Sequence, residues 1–142
     1  MKLQDIMTQN VVTVNREETV AVAARLLSRS NVGALPVVNA AGALCGVVTD
    51  RDMLLRCVAV NRDPNHTKVA EVMTRDVVSA KPDMETGVAA HLMGRNQIRR
   101  LMVVEDGKLC GVVSLGDLAN REETWPDAAD ALGDISSNIS FR

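Results

Sequence analysis

The 142-residue chain contains 46% hydrophobic and 24% charged residues, proportions that indicate a folded globular protein rather than a disordered one. Its formal net charge of −2 provides no broad basic field, and its only aromatic residues are Trp125 and Phe141; both facts argue against nucleic-acid binding. A planar ligand would therefore be held mainly by aliphatic side chains. No apolar run is long enough to span a membrane, and the N-terminus has no signal-peptide pattern.

Three cysteines, Cys45, Cys57 and Cys110, are present without a metal-type spacing. An odd number of cysteines in a chain without a secretion signal favours free thiols in a reducing cytoplasm. Cys45 and Cys110 occupy equivalent positions in two similar segments, so we interpret them as small buried hydrophobic residues. We expect a cytoplasmic protein that binds neither membrane nor metal.

The chain contains an internal repeat, which is the main clue to its organisation. The segment Cys45–Asp52 is echoed by Cys110–Asp117, and Ile6–Thr13 is matched 66 positions later by Val72–Ser79. The offset falls to 65 after the turn around Gly42, and a hairpin turn is where a repeat tolerates such a change. The predicted organisation is a first repeat over 1–60, a loop over 61–68, a second repeat over 69–120 and a tail over 121–142.

Each repeat is predicted to have the element order β-α-β-β-α, which makes the fold class α/β (α+β). The first strands are expected at Val11–Val14 and Val77–Ser79, and the hairpin strands at Ala34–Val38, Leu44–Val48, Leu101–Val104 and Leu109–Val113.

Apolar residues at helical spacing predict the intervening helices: Val20, Ala23, Ala24 and Leu27 in the first repeat, and Val88, Ala89, Leu92 and Met93 in the second. Asn15 with Glu18, and Pro82-Asp83, are typical helix-start signals. A second helix follows each aspartate turn, with Met53, Leu54, Cys57 and Val58 as the apolar stripe of the first. In the tail, Asp127–Leu132 is compatible with a short helix, and residues 136–142 with weak order.

The aspartate turns carry the chemistry that points to a ligand. An ionised Asp52 or Asp117 can accept hydrogen bonds from two adjacent ribose hydroxyls, and Thr49 or Ser114 adds a hydroxyl. The helix that starts at each turn also favours a nearby anion. The same Thr-x-x-Asp and Ser-x-x-Asp patterns are helix-capping boxes. Both interpretations are open from the residues alone, and one residue can serve both purposes.

These features together resemble the CBS domain: a Met-Thr start, the Leu-Pro-Val-Val strand at Leu35–Val38, and the Gly-Val-Val-Thr-x-x-Asp turn at Gly46–Asp52. The doubled pattern, over residues 3 to 120, resembles a Bateman module of the stand-alone type. The resemblance implies two repeats packed about a pseudo-twofold axis, two clefts that bind adenosyl ligands, and a homodimer. AMP, ADP or ATP is favoured over S-adenosylmethionine and NAD(H). Met102 replaces the family's usual Pro in the second repeat.

The resemblance also implies which residues line the two clefts. One cleft would join Val47, Thr49 and Asp52 with Thr74, Val77, Val78, Ile98, Arg99 and Arg100. The other would join Val112, Ser114 and Asp117 with Thr8, Val11, Val12, Val32 and Gly33. The aliphatic members would enclose the adenine. Arg100 suits a phosphate because its guanidinium is planar and always charged, whereas Ala34 occupies the matching position of the first repeat. We therefore expect the Asp52–Arg100 cleft to be the tighter phosphate site.

Two other classes of function were weighed. An enzyme is disfavoured because His66 and His91 are far apart in the sequence and no nucleophile–base pair is evident; we expect no catalysis and no required cofactor. The second class is a ligand-independent scaffold for dimerisation or protein interaction. A regulatory role requires a partner protein whose affinity changes with the ligand, and the sequence names neither that partner nor the nucleotide.

Overall fold

The computed structural model describes residues 1–137, with the side chain of Ser137 excluded. The chain forms two compact units. The first unit is Val12–Val77, and the second unit combines Met1–Val11 with the residues from Val78 onward. Each unit contains one three-stranded sheet covered by helices. The predicted fold class, α/β (α+β), is confirmed as a mixed α+β fold.

The first unit has the predicted β-α-β-β-α order. Its elements are β1 (Val14–Asn15), α1 (Val20–Ser30), β2 (Ala34–Val38), β3 (Leu44–Thr49), α2 (Asp50–Met53), a π-helical turn (Leu54–Val58) and α3 (Val69–Val72). The sheet order is β1-β2-β3, with β1 parallel to β2 and β2 antiparallel to β3. The hairpin strands agree with the predicted ranges to within a residue at each end.

The second unit repeats this order with an additional helix at its end. Its elements are a 3₁₀ turn (Leu3–Asp5), β4 (Ser79–Ala80), α4 (Thr86–Asn96), β5 (Arg100–Glu105), β6 (Lys108–Ser114), α5 (Leu115–Ala119) and α6 (Trp125–Ser137). The sheet order is β4-β5-β6, with the same parallel and antiparallel pairs. A bulge between Val103 and Val104 shifts the register of the hairpin.

The first strand of each repeat is shorter and later than predicted. The predicted ranges, 11–14 and 77–79, begin in turns where Val11 N–H donates to Gln9 and Val77 N–H donates to Arg75. Strand pairing begins only at Val14 and Ser79, because only two residues of β2 pair with β1 and only two residues of β5 pair with β4. β propensity alone does not show where a partner strand is available.

The predicted helix starts are also wrong. Thr19, not Asn15, caps α1, and its side chain accepts a hydrogen bond from Val22 N–H. Asn15 instead forms a local turn by accepting from Glu17 N–H at 2.9 Å, which is the alternative role of an Asx residue. Helix α4 begins at Thr86, three residues after Pro82-Asp83.

The buried faces of the helices differ in part from the predicted stripes. Ala23 and Leu27 are buried as expected, whereas Ala24 is exposed. In α4, Ala89 and Met93 are buried, but Val88 is 57% exposed. Met53, at the end of α2, and Cys57, in the π-helical turn, are buried, whereas Leu54 and Val58 of that turn are exposed. A π-helical turn changes the 3.6-residue spacing on which the predicted stripe was based.

Each unit has its own apolar core. In the first unit Leu35, Val37 and Val48 of the sheet pack with α1 and with Val69 and Val72 of α3. In the second, Leu101, Val103 and Val113 pack with α4, α6 and the N-terminal Leu3 and Ile6. Full burial of such a side chain contributes about 1.5–3 kcal/mol. The first residues of each repeat are therefore part of the core of the unit that holds most of the other repeat.

Polar contacts also fasten α3 to the first unit. Val69 N–H donates to Glu18 at 2.8 Å, and Ala70 N–H donates to Arg16 at 3.0 Å. The Lys68 ammonium lies 2.7 Å from the Glu17 carboxylate. This ion pair lowers the pKa of Glu17 and raises the pKa of Lys68.

The tail forms a longer helix than predicted. Helix α6 covers Trp125–Ser137 rather than Asp127–Leu132, and Pro126 lies in its first turn, where proline is tolerated. It packs closely on α4 because Gly94 has no side chain; a Cβ there would lie 2.8 Å from Asp134 Oδ2. Of the predicted weakly ordered segment, Ser136 belongs to this helix, and residues 138–142 lie outside the described residues. Within residues 1–137, none of the helices has the length and apolar character needed to cross a bilayer.

Two glycines permit close backbone contacts. In the second unit Val112 forms an antiparallel bridge with Thr8, and in the first unit Val47 forms one with Thr74. The residue before each valine is glycine: a Cβ on Gly111 would lie 2.7 Å from the Thr8 carbonyl oxygen, and one on Gly46 would collide with the Thr74 carbonyl oxygen. Glycine is required here for space, not for an unusual backbone angle.

We predict that Gly111→Ala destabilises the fold by about 1–3 kcal/mol, the usual cost of overpacking, because the obstructing atom belongs to the backbone. The measurement is the free energy of unfolding in urea. The matched control is Gly133→Ala in α6, where an added Cβ meets no described atom within 4 Å; alanine there should stabilise the helix by about 0.5–1 kcal/mol. Equal stability of Gly111→Ala and wild type would contradict the close contact.

Candidate functional site

The two aspartate turns are built identically. Strand β3 ends at Thr49, whose Oγ1 accepts from Asp52 N–H at 3.0 Å while Asp52 Oδ2 accepts from Thr49 N–H at 3.0 Å. Strand β6 ends at Ser114, and the corresponding bonds with Asp117 measure 3.0 and 2.8 Å. Both turns are therefore capping boxes. Any ligand must use the acceptor capacity that the box leaves over.

Asp52 has little capacity left. It is only 8% exposed, and Thr74 Oγ1 donates to it at 3.0 Å from Oδ1 and 3.2 Å from Oδ2. Thr74 is held in place by its backbone bridge with Val47. Arg56 Nη1 lies 3.9 Å from Oδ1 and donates to the Val72 and Met73 carbonyls. The Asp52 carboxylate is thus satisfied by its own unit.

Asp117 lies in a more open environment. It is half-buried, and Ser114 N–H, bound to Oδ2, is the sole donor to its carboxylate among residues 1–137. Thr8 is bridged to Val112, as Thr74 is to Val47, yet its side chain is exposed and makes no hydrogen bond to Asp117. With respect to residues 1–137, Asp117 Oδ1 and the Thr8 hydroxyl therefore have hydrogen-bonding capacity left for a ligand.

Two arginines lie beside the Ser114 turn. Arg100 begins β5 and is the cross-strand partner of Ser114, and the Arg99 carbonyl accepts from Leu115 N–H at 2.8 Å. Both side chains are exposed, and neither forms a salt bridge with any described residue. The guanidinium groups give this edge of the second unit a local positive charge.

The corresponding edge of the first unit has no charge of this kind. Ala34 is the partner of Thr49, and the Gly33 carbonyl accepts from Asp50 N–H at 3.1 Å. The expected difference between Arg100 and Ala34 is therefore visible in the structure.

The structure brings together part of each predicted residue set. Val47, Thr49, Asp52 and Thr74 are contiguous in the first unit, as are Thr8, Val112, Ser114 and Asp117 in the second. Val78 and Ile98 pack against the core of the second unit, and Val32 against that of the first. The predicted clefts combine residues of both units, including Asp52 with Arg100. The combinations of residues from the two units stay predictions, and so does the placement of Val11, Val12 and Val77 in the clefts.

No motif in the sequence points to Trp125, which lies beside this edge of the second unit. A groove of about 530 Å³ in the second unit is lined by the two arginines, by Ser114–Gly116, and by Trp125 and Leu132 of α6. A planar ligand at this unit is therefore not restricted to aliphatic neighbours. The signal that could have identified it is that Trp125 is the chain's only tryptophan and directly precedes Pro126, a residue type favoured in the first turn of a helix.

The cysteines and histidines lie in separate parts of the described chain. All three cysteines are free; Cys57 is buried, whereas Cys45 and Cys110 are half-buried rather than buried as expected. In the described chain, His, Cys, Asp and Glu form no cluster of three or more suited to a metal ion. His66 is exposed, and its ring contacts the Asp63 carboxylate. The pKa of the Asp63 carboxyl is lowered, mainly by the hydrogen bond from the Asn65 N–H and to a lesser extent by the hydrogen bond with His66.

We predict that Thr74→Val destabilises the protein by about 1.5–3 kcal/mol, because it removes the hydroxyl that donates to the buried Asp52 carboxylate. The measurement is chemical denaturation without ligand. Thr8→Val is the control at the equivalent position, and it should leave stability within about 0.5 kcal/mol of wild type. Equal losses in the two variants would show that the two turns do not differ as described.

Comparison with known proteins agrees with the motifs. The CBS domain family model matches residues 3–59 and again residues 69–124. The chain is 45% identical over 134 residues to CBS domain-containing protein YhcV of Bacillus subtilis, with 94% of each chain covered. The predicted repeat limits, 1–60 and 69–120, differ slightly from the matched ranges and stay predictions.

Solved structures show the same fold. The crystal structure of CBSX2 in complex with AMP matches with a TM-score of 0.71 and 31% identity, over 82% of this chain and 91% of that one. The CBS domain pair of protein MJ0100, in complex with 5′-methylthioadenosine and S-adenosyl-L-methionine, matches with a TM-score of 0.72 and 28% identity, over 84% and 93%. The resemblance inferred from the sequence is confirmed, and the chain belongs to the CBS domain family, with two CBS domains in tandem.

Proposed function

We propose that this protein is a regulatory module that binds an adenosyl ligand, with AMP, ADP or ATP favoured, and that it catalyses no reaction. The observation that carries the proposal is that, among residues 1–137, Asp117 Oδ1 accepts no hydrogen bond and Arg99 and Arg100 form no salt bridge. The backbone pairs Thr8–Val112 and Arg100–Ser114 bring Thr8 and Arg100 to the strand that ends at the same turn. The AMP complex of CBSX2 and the S-adenosyl-L-methionine complex of MJ0100 support an adenosyl ligand.

Each group has a role in the proposed site of the second unit. The Asp117 carboxylate accepts from the ribose hydroxyls, because bonds to an ionised acceptor are the stronger class. Thr8 and Ser114 offer hydroxyls to the sugar. Arg99 and Arg100 bind the phosphates, for which a planar, permanently charged fork is suited. Val112 contributes an apolar wall for the base.

This assignment places the main ligand carboxylate at Asp117 rather than at Asp52. A buried carboxylate that already accepts from a backbone N–H and a threonine hydroxyl has fewer lone pairs for a sugar. Displacing the half-buried Thr74 hydroxyl would remove a hydrogen bond to the buried Asp52 carboxylate, and a hydrogen bond to a charged group contributes about 1.5–3 kcal/mol. We therefore propose that Asp52 mainly stabilises the first unit and binds a ligand more weakly.

Regulation requires that the ligand bind two states of the protein with different affinities. The proposed readout is a partner protein, or a second copy of the chain in a homodimer, whose association changes with nucleotide. The three free thiols suit a reducing cytoplasm.

A second candidate function is a scaffold that dimerises without any ligand. The observation that favours it is the exposed apolar surface after α2, where Leu54, Leu55 and Val58 are each about half exposed. Exposed apolar patches of this kind commonly mark interfaces. A scaffold would be indifferent to nucleotides, so the same binding experiment separates the two functions.

We predict that an adenine nucleotide at about one hundred times its dissociation constant stabilises the wild type by roughly 2.7 kcal/mol, seen as a rise of several degrees in melting temperature. The panel is AMP, ADP, ATP, S-adenosylmethionine and NADH. Asp117→Asn and Arg100→Gln should each weaken binding of the best ligand about 10-fold or more, since each removes a charged hydrogen bond. Calorimetry measures the affinities.

The controls are Asp52→Asn, for the equivalent carboxylate, and Arg95→Gln, for an exposed arginine of α4 outside the groove. Asp52→Asn should lower stability more than it lowers affinity, and Arg95→Gln should change neither. A larger loss of affinity in Asp52→Asn than in Asp117→Asn would move the site to the first unit. If no member of the panel shifted the wild type, the scaffold function would be favoured.

A further inference from the structure

The groove beside the Ser114 turn has two chemically different walls. One wall is the end of the β5–β6 hairpin, with Arg99 and Arg100, and the other is helix α6, with Trp125 and Leu132. Its volume of about 530 Å³ falls in the range of small-molecule sites, about 300–1,000 Å³. No carboxylate is among the described residues that line it, so the groove combines positive charge with apolar surface.

Trp125 is exposed although its backbone is firmly anchored. Trp125 is 61% exposed, whereas Thr124, directly before it, and Ala128, three residues after it, are 2% and 3% exposed. Thr124 Oγ1 donates to the Leu118 carbonyl at 2.6 Å, which ties the start of α6 to the end of α5. The indole is therefore presented by a fixed backbone.

The composition of the groove selects one class of ligand. A planar base stacks on an indole face, and such stacking is largely independent of the base. Guanidinium groups select phosphate, and two neighbouring arginines without acidic partners disfavour a cationic ligand. S-adenosylmethionine carries a sulfonium and an ammonium group, so the groove suits it less than it suits a nucleoside phosphate.

We propose that Trp125, supplied by the helix that follows the second repeat, is a specificity-determining residue of the ligand site: it stacks on the base of a nucleoside phosphate whose phosphates bind Arg99 and Arg100. This inference rests on the proposed function and deepens it, because it adds a residue that no repeat motif contains and commits the ligand to an anionic nucleotide. The groove shares Ser114 and both arginines with the site around Asp117.

The test uses the fact that Trp125 is the only tryptophan and that the chain has no tyrosine. Intrinsic fluorescence of the full chain is titrated with AMP, ATP, adenosine and S-adenosylmethionine, and affinities are measured separately by calorimetry. We expect a saturable change in indole fluorescence with AMP or ATP at the calorimetric dissociation constant. Adenosine and S-adenosylmethionine should each bind at least 10-fold more weakly.

Trp125→Leu should weaken binding of AMP or ATP about 5- to 150-fold, and Trp125→Phe should lose less because it keeps a stacking ring. Val88→Ala, at another exposed apolar residue, is the control and should bind as wild type does. Because the indole is largely exposed, Trp125→Leu should keep the wild-type melting temperature without ligand. An unchanged melting temperature would show that any loss of affinity comes from the missing indole–ligand contact and not from a destabilised fold.

Three results would overturn the inference in distinguishable ways. If AMP or ATP binds wild type and Trp125→Leu with equal affinity, Trp125 is not a site residue, whether or not its fluorescence changes, and the proposed function stands. If no nucleotide gives heat with wild type, the proposed function fails and this inference fails with it. Tighter binding of S-adenosylmethionine than of AMP and ATP would overturn the assignment to an anionic ligand.

Discussion

The close backbone pairing of Thr8 with Val112, and of Thr74 with Val47, is the contact on which both turn environments depend. It is made possible by Gly111 and Gly46, where any side chain would strike a carbonyl oxygen of the incoming segment. Two consequences follow from this contact. It carries Leu3 and Ile6, or Val69 and Val72, into an apolar core, and it brings a threonine to the turn that ends the central hairpin. Fold stability and site assembly are therefore coupled through the same few backbone atoms.

The two turns share a capping box but differ in what surrounds it. In the first unit the threonine donates to the buried aspartate, and the carboxylate is used for stability. In the second unit Thr8 is exposed and Asp117 keeps a free acceptor. The capping box by itself does not discriminate between structural and ligand-binding roles, since it consumes one carboxylate oxygen in either case. The remaining oxygen, and the charge nearby, decide which role is available.

Helix α6 distinguishes the second unit further. Its small buried residues, Ala128 and Ala131, and the bare Gly94 of α4 let it lie close against the repeat, and Thr124 joins it to the end of α5. A ligand held between the arginines and this helix would stabilise the position of α6 relative to the hairpin.

The repeat, the β-α-β-β-α order, the limits of the hairpin strands and both capping boxes could be predicted from the amino-acid sequence, because each is encoded by local patterns of two to eight residues. The pairing of Arg100 with Ser114 depends on the bulge between Val103 and Val104, because without that shift in register Arg100 would lie opposite Val113. The strand starts at Val14 and Ser79 and the cap at Thr19 depend on a partner strand or on competing Asx turns, and propensity does not report either. The donation from Thr74 to Asp52, the half-exposed position of Asp117, and the groove that Trp125 and the arginines line together are visible in the folded structure alone. These outcomes depend on contacts between segments far apart in the chain, and no local pattern encodes the distance between them.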